Sequence, residues 1–283
     1  MSAANAVDLS FEFFPPRNES GEAGLEKTVE ALRELRPDYC SVTYGAGGST
    51  RDGTMKTVCK IQSIGVDTAA HLSMGDESKE NIGSMLGEYS TAGVRRIVAL
   101  RGDAASGMGG PSTQYAEQLV RFIRDHSGDH FHVTVAAYPE THPDASSPET
   151  DLAFFKRKVD AGADAAITQY FYNPSAYYDF VERAQAAGIN VPIIPGIMPI
   201  TNYQSLARFS ERAGADIPRW LSKRLQSLEN DSAGLQEFGL QVVSKLCEEL
   251  IANGAPGLHF YTLNRAKATK SIVHNLGLRK ATG

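Results

Sequence analysis

The chain reads as an α/β protein of the (β/α)8 TIM-barrel class, with extra helices before the last strand. Three observations carry that expectation. Short β-branched or aromatic runs recur eight times, stretches with helical periodicity separate them, and several helices end on a small residue followed by glycine. Eight such units within 283 residues, spaced roughly 30 residues apart, favour a closed barrel over an open doubly wound sheet.

Strands are expected over 7–14, 38–43, 67–72, 95–100, 131–137, 164–170, 191–197 and 257–261. Between the first two, Leu25, Val29, Leu32 and Leu35 recur at helical spacing, and Leu119, Phe122 and Ile123 do so before the fifth strand. The pairs Ala92-Gly93, Ala161-Gly162, Ala187-Gly188, Ala213-Gly214 and Asn253-Gly254 mark helix ends, because glycine closes a helix in the left-handed conformation. The connection from 198 to 256 is long, and its amphipathic stretches Trp220–Leu228 and Leu235–Ile251 predict additional helices. No linker-like composition divides the sequence, so residues 1–283 are expected to form one catalytic domain.

Composition excludes several classes. Hydrophobic residues at 42% and charged residues at 22% allow a large core and argue against disorder. A formal charge of −5, with no basic run longer than Lys156-Arg157-Lys158, lacks the footprint of a nucleic-acid binder. Met1–Ala6 carry no basic region followed by an apolar stretch, and no apolar run reaches the roughly 18 residues needed to span a membrane, so a cytoplasmic protein is expected. Cys40, Cys59 and Cys247 are odd in number and widely spaced, which fits reduced thiols.

Glu12 stands within Ser10-Phe11-Glu12-Phe13-Phe14, where packing alone would ask for a hydrophobe. A carboxylate among phenylalanines loses hydration, which suits it to hold or deliver a proton near neutrality. In a barrel the chemistry is built at the carboxyl-terminal ends of the strands. There the sequence gathers Thr43, Tyr44, His71, Arg101, Asp103, Tyr138, Gln169, Asn264 and Arg265. The glycine-rich turns 45–50 and 102–110 do not spell G-x-G-x-x-G, and Asp67 starts a strand instead of ending one, so a Rossmann domain is disfavoured. The rival chemistry is a metal-dependent TIM-barrel hydrolase, suggested by His130 and His132. Both enter the fifth strand at its amino-terminal end, the wrong face for a catalytic metal, while His126 and His274 read as surface residues.

Six ordered segments, Ser10–Pro16, Val42–Ser49, Leu100–Asp103, Ala137–Glu140, Ile167–Gln169 and His259–Arg265, together resemble bacterial-type methylenetetrahydrofolate reductases from about residue 8 to residue 278. The resemblance implies an FAD-containing barrel that reduces 5,10-methylenetetrahydrofolate to 5-methyltetrahydrofolate with NADH or NADPH. It also implies ping-pong kinetics, homo-oligomers, and a place in one-carbon metabolism and methionine synthesis. Glu12 matches the general acid that opens the bridging five-membered ring to an iminium. Asp103 matches an ionised acid beside flavin and pterin that favours the cation. Gln169 matches a pterin-binding amide, Phe209 an aromatic that stacks on bound ligand, and Arg265 a substrate-binding cation.

For FAD the matching positions are Thr43, His71, Leu100, Arg101, Gly102, Asp103, Tyr115, Ala116, Ala137, Tyr138, His142, Asp151, Arg157 and Lys158, the last two suited to a pyrophosphate. Phe154 departs from the polar residue expected one turn before Lys158. The chain ends shortly after the expected barrel, so the long regulatory extension of animal forms is not expected.

Overall fold

The computed structural model describes residues 7–44, 51–75, 77–101 and 116–278. Residues 1–6, 45–50, 76, 102–115 and 279–283 lie outside the described residues, and with them Gly102, Asp103 and Tyr115.

Strand and helix alternate as the sequence predicts. The chain runs β1 (Asp8–Phe13), α1 (Glu19–Arg33), β2 (Tyr39–Val42), α2 (Arg51–Ser63), β3 (Thr68–Ser73), α3 (Lys79–Thr91), β4 (Arg96–Leu100) and α4 (Ala116–Ser127). It continues through β5 (His132–Ala137), α5 (Pro148–Asp160), β6 (Ala165–Thr168), α6 (Pro174–Ala186), β7 (Ile193–Ile194) and β8 (Gly196–Ile197). Helices α7 (Tyr203–Ala213), α8 (Arg219–Ser227) and α9 (Ser232–Ala252) precede β9 (Gly257–Tyr261) and α10 (Ala266–Asn275). The additional helices thus fall where the amphipathic stretches placed them. All five of the predicted helix-ending glycines have positive φ, from 66° at Gly214 to 112° at Gly162.

The strands pair in parallel in the order β7, β6, β5, β4, β3, β2, β1, β9, β8. Expectation and structure differ at the seventh strand. A single run over 191–197 is instead two two-residue pieces on either side of Pro195. Proline has no N–H to give a ladder, and the chain changes partner across it. Ile193 and Ile194 lie beside Ala166 and Ile167 of β6, whereas Gly196 and Ile197 lie beside His259 and Phe260 of β9. The Pro195 carbonyl accepts from His259 N at 3.0 Å. The broken strand therefore joins β6 to β9 and completes the ring.

Gly196 is required at this junction. A Cβ built there would lie 2.1 Å from the Thr168 carbonyl oxygen and 2.7 Å from Tyr261 Cε2. Its amide also donates to Thr168 Oγ1 at 2.9 Å, beneath the carbonyl that accepts from the Tyr261 hydroxyl at 2.7 Å.

Side chains alternate across the barrel wall. Leu9, Phe11 and Phe13 are fully buried in the layer between strands and helices, with Leu25, Val29 and Leu32 of α1. The opposite face looks inward, where Tyr39, Ala69 and Val98 form a separate small cluster with Leu100 against it. Ser10 and Glu12 belong to this inward face.

Candidate active site

Glu12 sits on a strand flanked on both sides, with Ser41 of β2 and Tyr261 of β9 as its register partners. Its side chain is 20% exposed, so it is a lining residue of the barrel mouth and not a solvated edge group. Its Oε2 lies 3.4 Å from His71 Nε2 and 3.6 Å from His259 Nε2, too long for formed hydrogen bonds. Both imidazole nitrogens are buried and have no hydrogen-bond partner among the described residues, and Ser41 Oγ and Thr43 Oγ1 share that state. Burial pushes His71 down to about 4, Glu12 opposes that shift, and His259 adds slightly to it. His71 is therefore neutral near pH 7. The His259 ring is fully buried, and its Nδ1 shares a 2.7 Å hydrogen bond with Ser10 Oγ.

The backbone beyond Glu12 is clamped by the loop that follows β9. Thr262 Oγ1 donates to the Glu12 carbonyl at 2.6 Å. The Asn264 side chain accepts from Phe14 N at 3.0 Å and donates to Phe14 O at 2.8 Å. Leu263 and Asn264 turn the chain with φ of 51° and 55°. These contacts tie the segment around Glu12 to the segment around Asn264. Arg265 follows, exposed at the start of α10.

A second polar cluster lies at the ends of β4 and β5. Arg101 pairs with Asp144 at 2.6 Å, and this guanidinium holds the Asp144 carboxyl below its usual range. Asp144 N donates to His142 Nδ1 at 3.0 Å, which leaves the proton of the neutral ring on Nε2. His142 N in turn donates to Asp151 Oδ2 at 2.9 Å, and burial lowers the His142 pKa. The Tyr138 and His142 rings meet edge-on at 4.5 Å. Lys158 reaches inward from α5 to donate to the Ala136 carbonyl, and burial lowers its pKa to about 8 against the opposing pull of Asp151.

The structure thus brings Arg101, Tyr138, His142, Asp151 and Lys158 together, with Leu100 and Ala137 ending the strands beneath them. Ala116 begins α4. Among the described residues, Arg157 makes other contacts. It is one position from Lys158, hence about 100° around the helix, and it pairs with Glu117 at 2.8 Å while stacking on the Phe154 ring at 4.3 Å. Phe154, the departure from the expected pattern, is its platform.

Gln169 continues the ladder by donating its backbone N–H to Ala137 O at 2.8 Å, and its Oε1 accepts from Tyr170 N at 3.0 Å. The neighbouring Tyr170 hydroxyl bonds Ser210 Oγ at 3.0 Å, which ties the end of β6 to α7 beside Phe209. Phe209 is 41% exposed and Phe14, at the end of β1, is 39% exposed. Large aromatic faces are thus open to the rim.

Ser10, Ser41, His259 and Asp144 were not singled out as site residues from the sequence. A period-two signal could have found His259, since His259 and Tyr261 occupy the inward positions opposite Ser10 and Glu12. Asp144 lies in a Pro143-Asp144 turn with no motif to mark it. His130 bonds Arg95 at 2.9 Å and His132 approaches Asp164 at 3.7 Å. No group of three or more His, Cys, Asp or Glu that could hold a metal occurs among the described residues. Among them, too, no helix is long and apolar enough to cross a membrane.

Known proteins resemble this chain in sequence and in fold. A family model described as Methylenetetrahydrofolate reductase matches residues 1–277. The 5,10-methylenetetrahydrofolate reductase of Salmonella typhimurium is 40% identical over 274 residues, covering 96% of this chain and 92% of that protein. Methylenetetrahydrofolate reductase (NADH) 1 of Arabidopsis thaliana is 38% identical over 95% of this chain, which spans 48% of the plant protein. Among solved structures, an uncharacterized Clostridium thermocellum protein described as binding two copies of 5-methyl-5,6,7,8-tetrahydrofolic acid has a TM-score of 0.68 at 18% identity, covering 96% of this chain and 94% of that one. That structural likeness speaks to the barrel, and the sequence matches go further: the chain belongs to the methylenetetrahydrofolate reductase family.

Proposed function

We propose that the chain, acting over 1–283 as one catalytic domain, reduces 5,10-methylenetetrahydrofolate to 5-methyltetrahydrofolate with NADH or NADPH through bound FAD. The two substrates take turns at the same flavin face in a ping-pong cycle. The observation that carries this reading is Glu12. A carboxylate at the mouth of the barrel, faced by two imidazoles and clamped from behind by Thr262, stands in a chain of this family.

The residues fit a flavin. Thr43 Oγ1 and His71 Nε2 are buried polar atoms with no partner among the described residues, and such groups ordinarily find one. Lys158 is a half-buried cation whose charge an anionic pyrophosphate would favour, and Arg101, held by Asp144, is a second donor nearby. These four, with Tyr138, His142, Asp151 and Arg157, would hold the cofactor, and Leu100, Ala116 and Ala137 would offer backbone. Gly102, Asp103 and Tyr115 keep their proposed roles from the resemblance. When bound, FAD supplies the hydride that it has accepted from the nicotinamide.

The protein's own part is proton chemistry and positioning. Glu12 delivers a proton to a bridging nitrogen of the folate, and the carbon–nitrogen bond breaks with its electron pair on that nitrogen. The methylene carbon is left as an electrophilic iminium. Asp103 stabilises the cation, Gln169 holds the pterin, Phe209 covers it and Arg265 pairs with a folate carboxylate. The balanced cycle consumes one proton per turnover, so Glu12 must be reprotonated each time. We place the enzyme in the cytoplasm as a homo-oligomer that supplies methyl groups for one-carbon metabolism and methionine synthesis.

Colour tests the reading. Purified protein is expected to be yellow, to bleach anaerobically with NADH or NADPH, and to recolour on addition of methylenetetrahydrofolate. A bleached protein that stays colourless with the folate overturns the assigned substrate.

A further inference from the structure

His259 is fully buried beneath Glu12 and carries no role in the scheme above. Its ring is fixed on several sides. Nδ1 bonds Ser10 Oγ at 2.7 Å, Tyr39 stacks on one face with centroids 6.3 Å apart, and Tyr261 meets the ring edge-on at 5.4 Å. The remaining polar atom, Nε2, faces Glu12 Oε2 at 3.6 Å and has no hydrogen-bond partner among the described residues. A neutral imidazole has one donor and one acceptor, and the hydrogen bond at one nitrogen sets what the other can do.

We propose that His259 is the positioning residue for the Glu12 proton: Ser10 accepts the Nδ1 proton, and the Nε2 lone pair that results accepts the O–H of protonated Glu12. The inference rests on the reading of Glu12 as the acid of the folate step. It gives a reason for burying a polar pair, Ser10 and His259, at neighbouring inward positions of β1 and β9 where apolar side chains would fill the barrel. It also separates the two imidazoles beside Glu12, since only His259 has its second nitrogen tied to a side-chain hydroxyl among the described residues.

The other titratable groups facing Glu12 do not supply this acceptor. His71 of β3 is neutral and its Nε2, 3.4 Å from Glu12 Oε2, also has no hydrogen-bond partner among the described residues, but the scheme above assigns that nitrogen to the cofactor. The phenols Tyr39 of β2 and Tyr261 of β9 are driven further from ionisation by burial, so both stay protonated, and Tyr261 spends its proton on the Thr168 carbonyl. Asp103 lies outside the described residues.

The test measures both half-reactions of the FAD-loaded enzyme against pH by anaerobic stopped flow, in His259→Phe, His259→Gln, Ser10→Ala and Glu12→Gln. Loss of the acceptor weakens the acid form of Glu12. The pH midpoint of flavin reoxidation by methylenetetrahydrofolate is therefore expected to fall by about one unit in His259→Phe, about tenfold in rate on the alkaline limb. Ser10→Ala should shift it in the same direction by less, and His259→Gln, whose amide oxygen can accept, should restore part of the loss. Flavin reduction by the nicotinamide should stay within about twofold, because no group of this relay serves it.

A midpoint that rises marks His259 as a donor to the carboxylate and overturns the proposal, as does a profile lowered uniformly with its midpoint unmoved. Should His259→Phe fail to fold or to hold flavin, Ser10→Ala decides, since it removes one oxygen and leaves the ring packing intact. If Glu12→Gln abolishes the folate step while Ser10→Ala and His259→Phe match the wild type, only this inference fails. If Glu12→Gln leaves the folate step intact, the reading of Glu12 itself fails, and this inference with it.

Discussion

Gly196→Ala strikes the point where the barrel closes, and its cost can be worked from distances. The added methyl would lie 2.1 Å from the Thr168 carbonyl oxygen, 2.7 Å from Tyr261 Cε2 and 2.9 Å from the Tyr261 hydroxyl. The nearest atom is backbone, so relief requires moving β8 away from β6 by roughly 1 Å, since a comfortable carbon–oxygen approach is about 3.3 Å. Overpacking of this kind costs about 1–3 kcal/mol. The shift also strains two hydrogen bonds, the buried Gly196 N to Thr168 Oγ1 and the partly buried Tyr261 Oη to Thr168 O, each worth about 1 kcal/mol. The sum is about 3–5 kcal/mol, a large share of the roughly 5–15 kcal/mol that keeps a domain folded. Urea unfolding followed by circular dichroism should show a loss of that size, and thermal unfolding a drop on the order of 10 °C. Because Tyr261 sits opposite Glu12, any folded variant should be slower in the folate half-reaction. A loss below about 1 kcal/mol would refute the reasoning, because it would mean that the broken strand is not wedged between Thr168 and Tyr261.

Further expectations concern the half-buried Lys158 and the buried His71. Lys158 has a folded pKa of about 8, below its ordinary 10.5, so between those values the unfolded chain binds more protons and apoprotein stability should rise with pH, by at most about 3 kcal/mol. Lys158→Met should abolish that rise in the urea midpoint between pH 8 and pH 10.5 and weaken FAD retention by on the order of tenfold, read by flavin fluorescence on dilution. His71 is depressed from 6.5 to about 4 by burial, so stability should fall as pH drops through that window, again by up to about 3 kcal/mol. His71→Gln should flatten the acid limb of the stability profile, and an unchanged slope would contradict the burial of that ring.

Most of the architecture was legible because barrel strands and helices advertise themselves locally. β-Branched runs, helical periodicity and the glycines after Ala92, Ala161 and Ala187 each act within a few residues. The broken seventh strand was not legible. Ile193-Ile194-Pro195-Gly196-Ile197 is one apolar run in sequence, and its change of partner from β6 to β9 is a tertiary fact. At the site, residues on strand ends could be placed by rule, which is why Glu12, His71 and Tyr138 fall where the sequence put them. Arg157 shows what adjacency in sequence hides: one position from Lys158, it points another way around the helix, to Glu117 and Phe154. Asp144 and His259 escaped because their roles lie in hydrogen bonds to Arg101, His142 and Ser10, which only the fold brings near.

The central claim is that Glu12 is the acid of the folate step and of that step alone. Anaerobic stopped flow on Glu12→Gln, with each half-reaction followed by flavin absorbance, tests it most directly. Flavin reduction by the nicotinamide should remain within about twofold of wild type, while reoxidation by methylenetetrahydrofolate should fall by about 10²–10⁴-fold, the usual contribution of a positioned acid. Equal losses in both half-reactions, or reoxidation at the wild-type rate, would contradict the assignment.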